Sequence, residues 1–110
     1  MLIPEIRKRL TDFVQLCKAH KVKSLYVFGS AVTDNFNPAT SDYDLLVDID
    51  ETDPIEKGEK LISLWDKLET MFQRKVDLLT DASIKNPVLR KNIDQTKILI
   101  YDGNSAKVPG

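Results

Sequence analysis

Three aspartates and a Gly-Ser pair are the residues here whose types and spacing could do chemistry. Asp42 and Asp44 open the run Asp42-Tyr43-Asp44-Leu45-Leu46-Val47-Asp48-Ile49-Asp50, in which apolar and acidic residues largely alternate. Residues two apart on a β-strand point to the same face, so these two carboxylates are neighbours. Ionising both is costly unless a cation lies between them. A hard divalent cation supplies that compensation, and magnesium is usually held by one or two carboxylates together with phosphate oxygens and water. Manganese is the alternative ion. Asp77 stands between Val76 and Leu78 in a later apolar run. If its strand neighbours the first, three carboxylates converge, enough to hold two metal ions ~3.5–4 Å apart for in-line displacement at phosphorus.

Gly29-Ser30 directly follows the β-forming run Ser24-Leu25-Tyr26-Val27-Phe28. A glycine at that point lets the backbone approach a ligand closely, and a serine offers its hydroxyl and N–H to phosphate. Taken singly, each feature has a plainer explanation. Asp-x-Asp alone fits a solvated face, and Gly-Ser alone fits a turn with Ser30 as an N-cap. The joint pattern is the specific one: Gly-Ser after a strand, eleven intervening residues, an Asp-x-Asp strand, then a lone Asp in a later strand.

Apolar periodicity supplies the elements that must position these residues. Ile3, Ile6, Leu10, Phe13, Val14 and Cys17 predict an amphipathic helix over residues 3–17. Strands follow at 24–28 and 42–50, the second with Tyr43, Leu45, Val47 and Ile49 on one face and Asp42, Asp44, Leu46, Asp48 and Asp50 on the other. Asp53-Pro54 reads as an N-cap with proline at the first helical position, opening a helix to Phe72. A third strand at 76–79, a short helix at 86–94 and a last strand at 97–101 complete the order. Strands and helices intermix, which predicts an α/β fold, a small mixed β-sheet with helices packed on it. One domain over residues 1–102 and a flexible tail over 103–110 are expected.

Composition bounds the answer further. The 110 residues suit a single core, with 42% hydrophobic and 30% charged residues, as in a soluble globular protein. A net charge of −1 argues against coating nucleic acid through bulk positive charge. One cysteine, Cys17, fits a reducing cytoplasm; MLIPEIRKRL is too charged for a signal peptide, and no apolar run would cross a bilayer. The only histidine, His20, and the absence of a Gly-x-Ser-x-Gly elbow exclude a serine-hydrolase triad. Cys17 and His20 lack the further ligands of a zinc site, and Cys17 reads as core packing. An EF-hand from Asp42 fails because Leu46 and Val47 stand where an oxygen ligand and a glycine are needed. No Gly-x-x-x-x-Gly-Lys loop is present. Trp65, Met71 and Phe72 read as core.

The stretches Val27-Phe28-Gly29-Ser30, Ser41-Asp42-Tyr43-Asp44-Leu45-Leu46-Val47-Asp48 and Lys75-Val76-Asp77-Leu78 resemble the minimal nucleotidyltransferases of the DNA polymerase β superfamily. The resemblance runs from the first helix to the last strand and implies the polymerase β-like nucleotidyltransferase fold. It implies that Gly29 and Ser30 grip a nucleoside triphosphate, ATP foremost, and that Asp42 and Asp44 bind the metal ions. Asp77 would be a further metal ligand and help activate an attacking hydroxyl. Many members carry arginine soon after Gly-Ser, whereas this chain has Ala31, Val32 and Thr33, so triphosphate charge must be met elsewhere. Arg74, Lys75, Arg90 and Lys91 are the sources considered, with Arg90 favoured as a phosphate contact. Asp48 reads as a surface carboxylate near the site.

The implied reaction is transfer of a nucleoside monophosphate to a hydroxyl, by positioning and charge neutralisation. Larger relatives add an acceptor-holding domain for which 110 residues leave no room. The resemblance implies a HEPN-domain partner, often a ribonuclease toxin, which this chain would neutralise by adenylylation. Self-association would meet the same need. Two alternatives stand beside this: a non-catalytic antitoxin that masks its partner by contact, and a transferase acting on a small molecule or an RNA end.

Overall fold

The computed structural model describes residues 4–29 and 42–109. Its first helical segment is not continuous. Arg9 leaves the helical region (φ −129°, ψ 46°), so α1 (Pro4–Lys8) and α2 (Leu10–Ala19) replace the single helix expected over residues 3–17. The Arg9 N–H is shared between the Glu5 and Ile6 carbonyls at 3.3 and 3.2 Å, the bifurcated bonding common where a helix ends. Bending here still presents Ile6 and Phe13 to one core, both fully buried. Strands β1 (Val22–Phe28) and β2 (Tyr43–Ile49) follow, then α3 (Pro54–Phe72), β3 (Val76–Thr80), a 3-10 turn (Asp81–Ser83), α4 (Pro87–Thr96) and β4 (Ile98–Asp102).

Local chemistry explains the helix ends. The Asp53 side chain accepts from the Ile55 N–H at 3.0 Å ahead of Pro54, as expected of an N-cap followed by proline. Gln73 stops α3 in the left-handed region at φ 51°. Asn86 caps α4 by accepting from the Val88 and Leu89 N–H groups, again ahead of a proline.

The sheet is mixed, in the order β3-β2-β1-β4. β1 pairs antiparallel with β2 and β4, whereas β2 and β3 run parallel. A parallel pair requires a crossover, and α3 supplies it. One face of the sheet buries Leu25, Val27, Leu45 and Val47 against Phe13, Cys17, Leu64, Leu68 and Phe72 from α2 and α3. A smaller cluster on the other face joins Phe28 and Leu46 to Ile84 and Ile93, the last from α4. Leu46 is therefore buried although it shares the alternation of the acidic residues. α4 covers that part of the acidic face.

Cys17 packs in the core as expected, fully buried, and burial pushes its thiol up to about 12. Trp65 differs from expectation. It remains 37% exposed because its indole lies over the sheet edge, where Nε1 donates to the Val76 carbonyl at 2.7 Å. After β4 the chain turns back: Asp102 and Lys107 form an antiparallel bridge, and the Gly103 N–H donates to the Lys23 carbonyl at 2.9 Å. Among the described residues no helix is long and apolar enough to cross a membrane.

Glu51 ties the end of β2 to α3 and to the α2–β1 turn. Lys60 lies 3.1 Å and Lys21 3.5 Å from its Oε1. Lys60, the Asp53 N–H and Lys21 hold its carboxyl down to about 2. A depressed folded-state pKa stabilises the fold above the ordinary value of 4.5 and loses that contribution as pH falls towards 2. Glu51→Gln is therefore expected to be less stable than the parent chain above pH 4.5, with the difference closing at lower pH. Urea midpoints at pH 7 and pH 3 check this; a constant difference would refute it.

Candidate active site

The parallel register sets the acids side by side. Tyr43 opposes Val76 and Asp44 opposes Asp77 across the β2–β3 pair. The two carboxyl groups are in hydrogen-bond contact, and Asp42, just ahead of β2, adds a third negative charge beside them. Burial, then the charge and hydrogen bond of Asp77, then Asp42 push the Asp44 carboxyl up to about 6. Two carboxyls in contact require either a shared proton or a cation.

Gly29 forms the next wall. It ends β1 with φ 73°, a conformation that L side chains rarely adopt, and a Cβ there would lie 2.6 Å from Asp44 Oδ2. The glycine is therefore needed twice, for its backbone angle and for the space Asp44 occupies. Ser30 lies outside the described residues, as do Ala31, Val32 and Thr33. Asp48 is exposed and stands opposite Ser24, away from the Asp44–Asp77 pair along the strand.

Arg90 lies in α4, the short helix after the Asp77 strand, as the sequence predicts, and both Arg90 and Arg74 have protein partners. Arg90 reaches the end of β3, where Nη1 meets Asp81 Oδ1 at 2.9 Å and Nη2 donates to the Asp81 carbonyl at 3.0 Å. Arg74 lies behind the sheet: its guanidinium stacks 4.8 Å from the Tyr43 ring centroid, with Nε 3.5 Å from Glu5. Tyr43 O–H donates to both Glu5 oxygens, at 3.2 and 3.0 Å, and burial pushes its phenol up to about 12. This Glu5–Tyr43–Arg74 group fastens the residue between Asp42 and Asp44 from the helical side. Lys75 and Lys91 are exposed.

Hard carboxylate oxygens crowded at one level of the sheet fit a magnesium-type ion, because such an ion offsets both the burial and the neighbouring negative charge that raise Asp44. Among the described residues no group of three or more His, Cys, Asp or Glu side chains is arranged to enclose a metal ion. The described donor set is thus the Asp44–Asp77 pair with Asp42 at its margin. Magnesium held by phosphate needs only one or two such carboxylates.

The sequence does not mark Trp65 and Glu69 as partners of the backbone beside Asp77. Trp65 Nε1 donates to the Val76 carbonyl, and Glu69 Oε2 accepts from the Val76 N–H at 2.9 Å. The signal was their spacing of four on α3, which puts both on one helix face; nothing in the sequence identifies that face as adjoining Val76.

A family model described as polymerase beta, nucleotidyltransferase matches residues 12–106. A Methanocaldococcus jannaschii protein named "Putative protein adenylyltransferase MJ0126" is 42% identical over 86 residues, covering 78% of this chain and 84% of that protein. A solved structure described as a "putative minimal nucleotidyltransferase" superposes with a TM-score of 0.60 at 25% identity, covering 89% of this chain and 95% of that one. The fold is also similar to a chain in the complex of a tri-AMPylated Shewanella oneidensis HEPN toxin with its MNT antitoxin. There the TM-score is 0.50 at 20% identity, with 86% of this chain and 71% of that one covered.

Proposed function

The chain belongs to the polymerase β nucleotidyltransferase family, and from that premise we propose that it transfers AMP from ATP to a hydroxyl of a HEPN-domain protein partner. The observation that carries this reading is the in-register contact of Asp44 with Asp77 beside Gly29. A relative named as a protein adenylyltransferase supports AMP as the group moved. The AMPylated HEPN toxin in the complex with an MNT antitoxin supports the kind of acceptor.

Asp42, Asp44 and Asp77 would hold magnesium, which supplies charge neutralisation at the triphosphate and lowers the pKa of the acceptor hydroxyl. Gly29 leaves space for the Asp44 carboxylate, and Ser30 would contribute its hydroxyl and N–H to a phosphate. The acceptor oxygen bonds to the α-phosphorus as the bond to the β-phosphate oxygen breaks. Pyrophosphate leaves, and Asp77 takes the hydroxyl proton. Arg90, with Nη1 and Nη2 engaged by Asp81, keeps only its remaining N–H groups for a phosphate.

The test is transfer of label from α-phosphate-labelled ATP to the product of the neighbouring gene, with and without magnesium. Metal-dependent label on that protein is expected. Co-purification of the two proteins without label would overturn catalysis and leave a masking antitoxin. Label on an RNA end or a small molecule instead would replace the acceptor.

A further inference from the structure

β3 is an edge strand, and edge strands present unpaired backbone groups on their outer side. The peptide leading into Val76 is held from both sides. The Lys75 carbonyl accepts from the Tyr43 N–H at 3.3 Å, on the β2 side. The Val76 N–H, pointing the other way, donates to Glu69 Oε2 at 2.9 Å. The following peptide is held too, because the Val76 carbonyl accepts from Trp65 Nε1 at 2.7 Å. Asp77 is the next residue, and its register partner is Asp44.

We propose that Trp65 and Glu69 are positioning residues of the active site, a two-point clip from α3 that fixes the backbone entering Asp77 and thereby sets its carboxylate against Asp44. Edge protection alone would not demand this placement. The clip engages both outward-facing groups of Val76, immediately before the acid. Val76 itself is fully buried and Trp65 is only part-covered, so the indole's contribution here includes its N–H as well as its apolar area. A misplacement of about 1 Å at such a site costs on the order of 10²-fold in rate. Partners that orient metal ligands typically change metal affinity by about 10–100-fold when lost.

This inference rests on the reading of Asp44 and Asp77 as metal ligands, so its test measures metal binding apart from transfer. Mn²⁺ is titrated calorimetrically into the whole chain without nucleotide, for the parent and for Trp65→Phe, Glu69→Ala and Glu69→Gln. Trp65→Phe and Glu69→Ala are expected to weaken Mn²⁺ binding by about 10-fold and lower kcat with little change in KM for ATP. Glu69→Gln keeps an acceptor oxygen for the Val76 N–H and is expected to stay within about 2-fold of the parent. Unchanged Mn²⁺ affinity in Trp65→Phe and Glu69→Ala, with thermal stability alone reduced, would overturn the clip while leaving the metal reading intact. A parent chain that takes up no Mn²⁺ would overturn both.

Discussion

Asp44→Asn is expected to abolish transfer and, in metal-free buffer at neutral pH, to make the protein more stable. Both effects come from one arrangement. Asp44 stands in register with Asp77, shares a hydrogen bond with it, and is pushed up to about 6 by burial and by the neighbouring acids. A carboxyl whose folded-state pKa lies above its ordinary 3.8 binds its proton more tightly when folded. Stability is then lost as pH rises from about 4 to about 6, and the full penalty remains above that. Asparagine has no proton to lose and can donate to Asp77. Allowing for solvent screening of a half-exposed carboxyl, the gain at pH 7 is about 1 kcal/mol, or roughly 4 °C in Tm. Transfer should fall by about 10³-fold or more, as when one member of a charge-stabilising constellation is removed. Thermal melts in chelator at pH 4.5 and pH 7.5, beside a label-transfer assay, check both halves. A variant less stable than the parent at pH 7.5 would contradict the repulsion on which the site is built.

Gly29→Ala is expected to damage the site more than the fold. The backbone cost of an alanine at φ 73° is about 1–2 kcal/mol. The new Cβ would stand 2.6 Å from Asp44 Oδ2, so the Asp44 carboxylate must shift relative to Asp77. A shift of that kind corresponds to a loss on the order of 10²-fold in kcat, in a protein that still folds. Urea denaturation together with kcat at saturating ATP separates the two effects. Unchanged kcat would place the productive position of Asp44 elsewhere.

The acidic strand was legible because alternation is a local property: Tyr43, Leu45, Val47 and Ile49 are all buried, as a period of two requires. The Asp53 cap and the proline after it were legible for the same reason. Other features depended on what the rest of the chain does. No local pattern in residues 3–17 marks Arg9 as the break between α1 and α2, since the apolar positions continue on either side. Trp65 has the helical spacing of a core residue, yet its ring ends at the sheet edge because Val76 offers a carbonyl there. Arg74 was a candidate for phosphate from its charge, and Arg90 also from its place in the short helix after the Asp77 strand. Each is engaged elsewhere, by Glu5 and Tyr43 or by Asp81.

Residue order by itself determined which chemistry was available: two acids at strand spacing, a third acid in a later strand, and a glycine at a strand end. These are statements about side-chain type and backbone period, which short stretches of chain carry within themselves. Whether Asp77 meets Asp44 was decided only by tertiary structure. A one-residue slip in the β2–β3 register would turn Asp77 to the opposite face, because side chains alternate along a strand. That register is set across the α3 crossover by core packing and by the bonds holding Val76, between groups far apart in sequence.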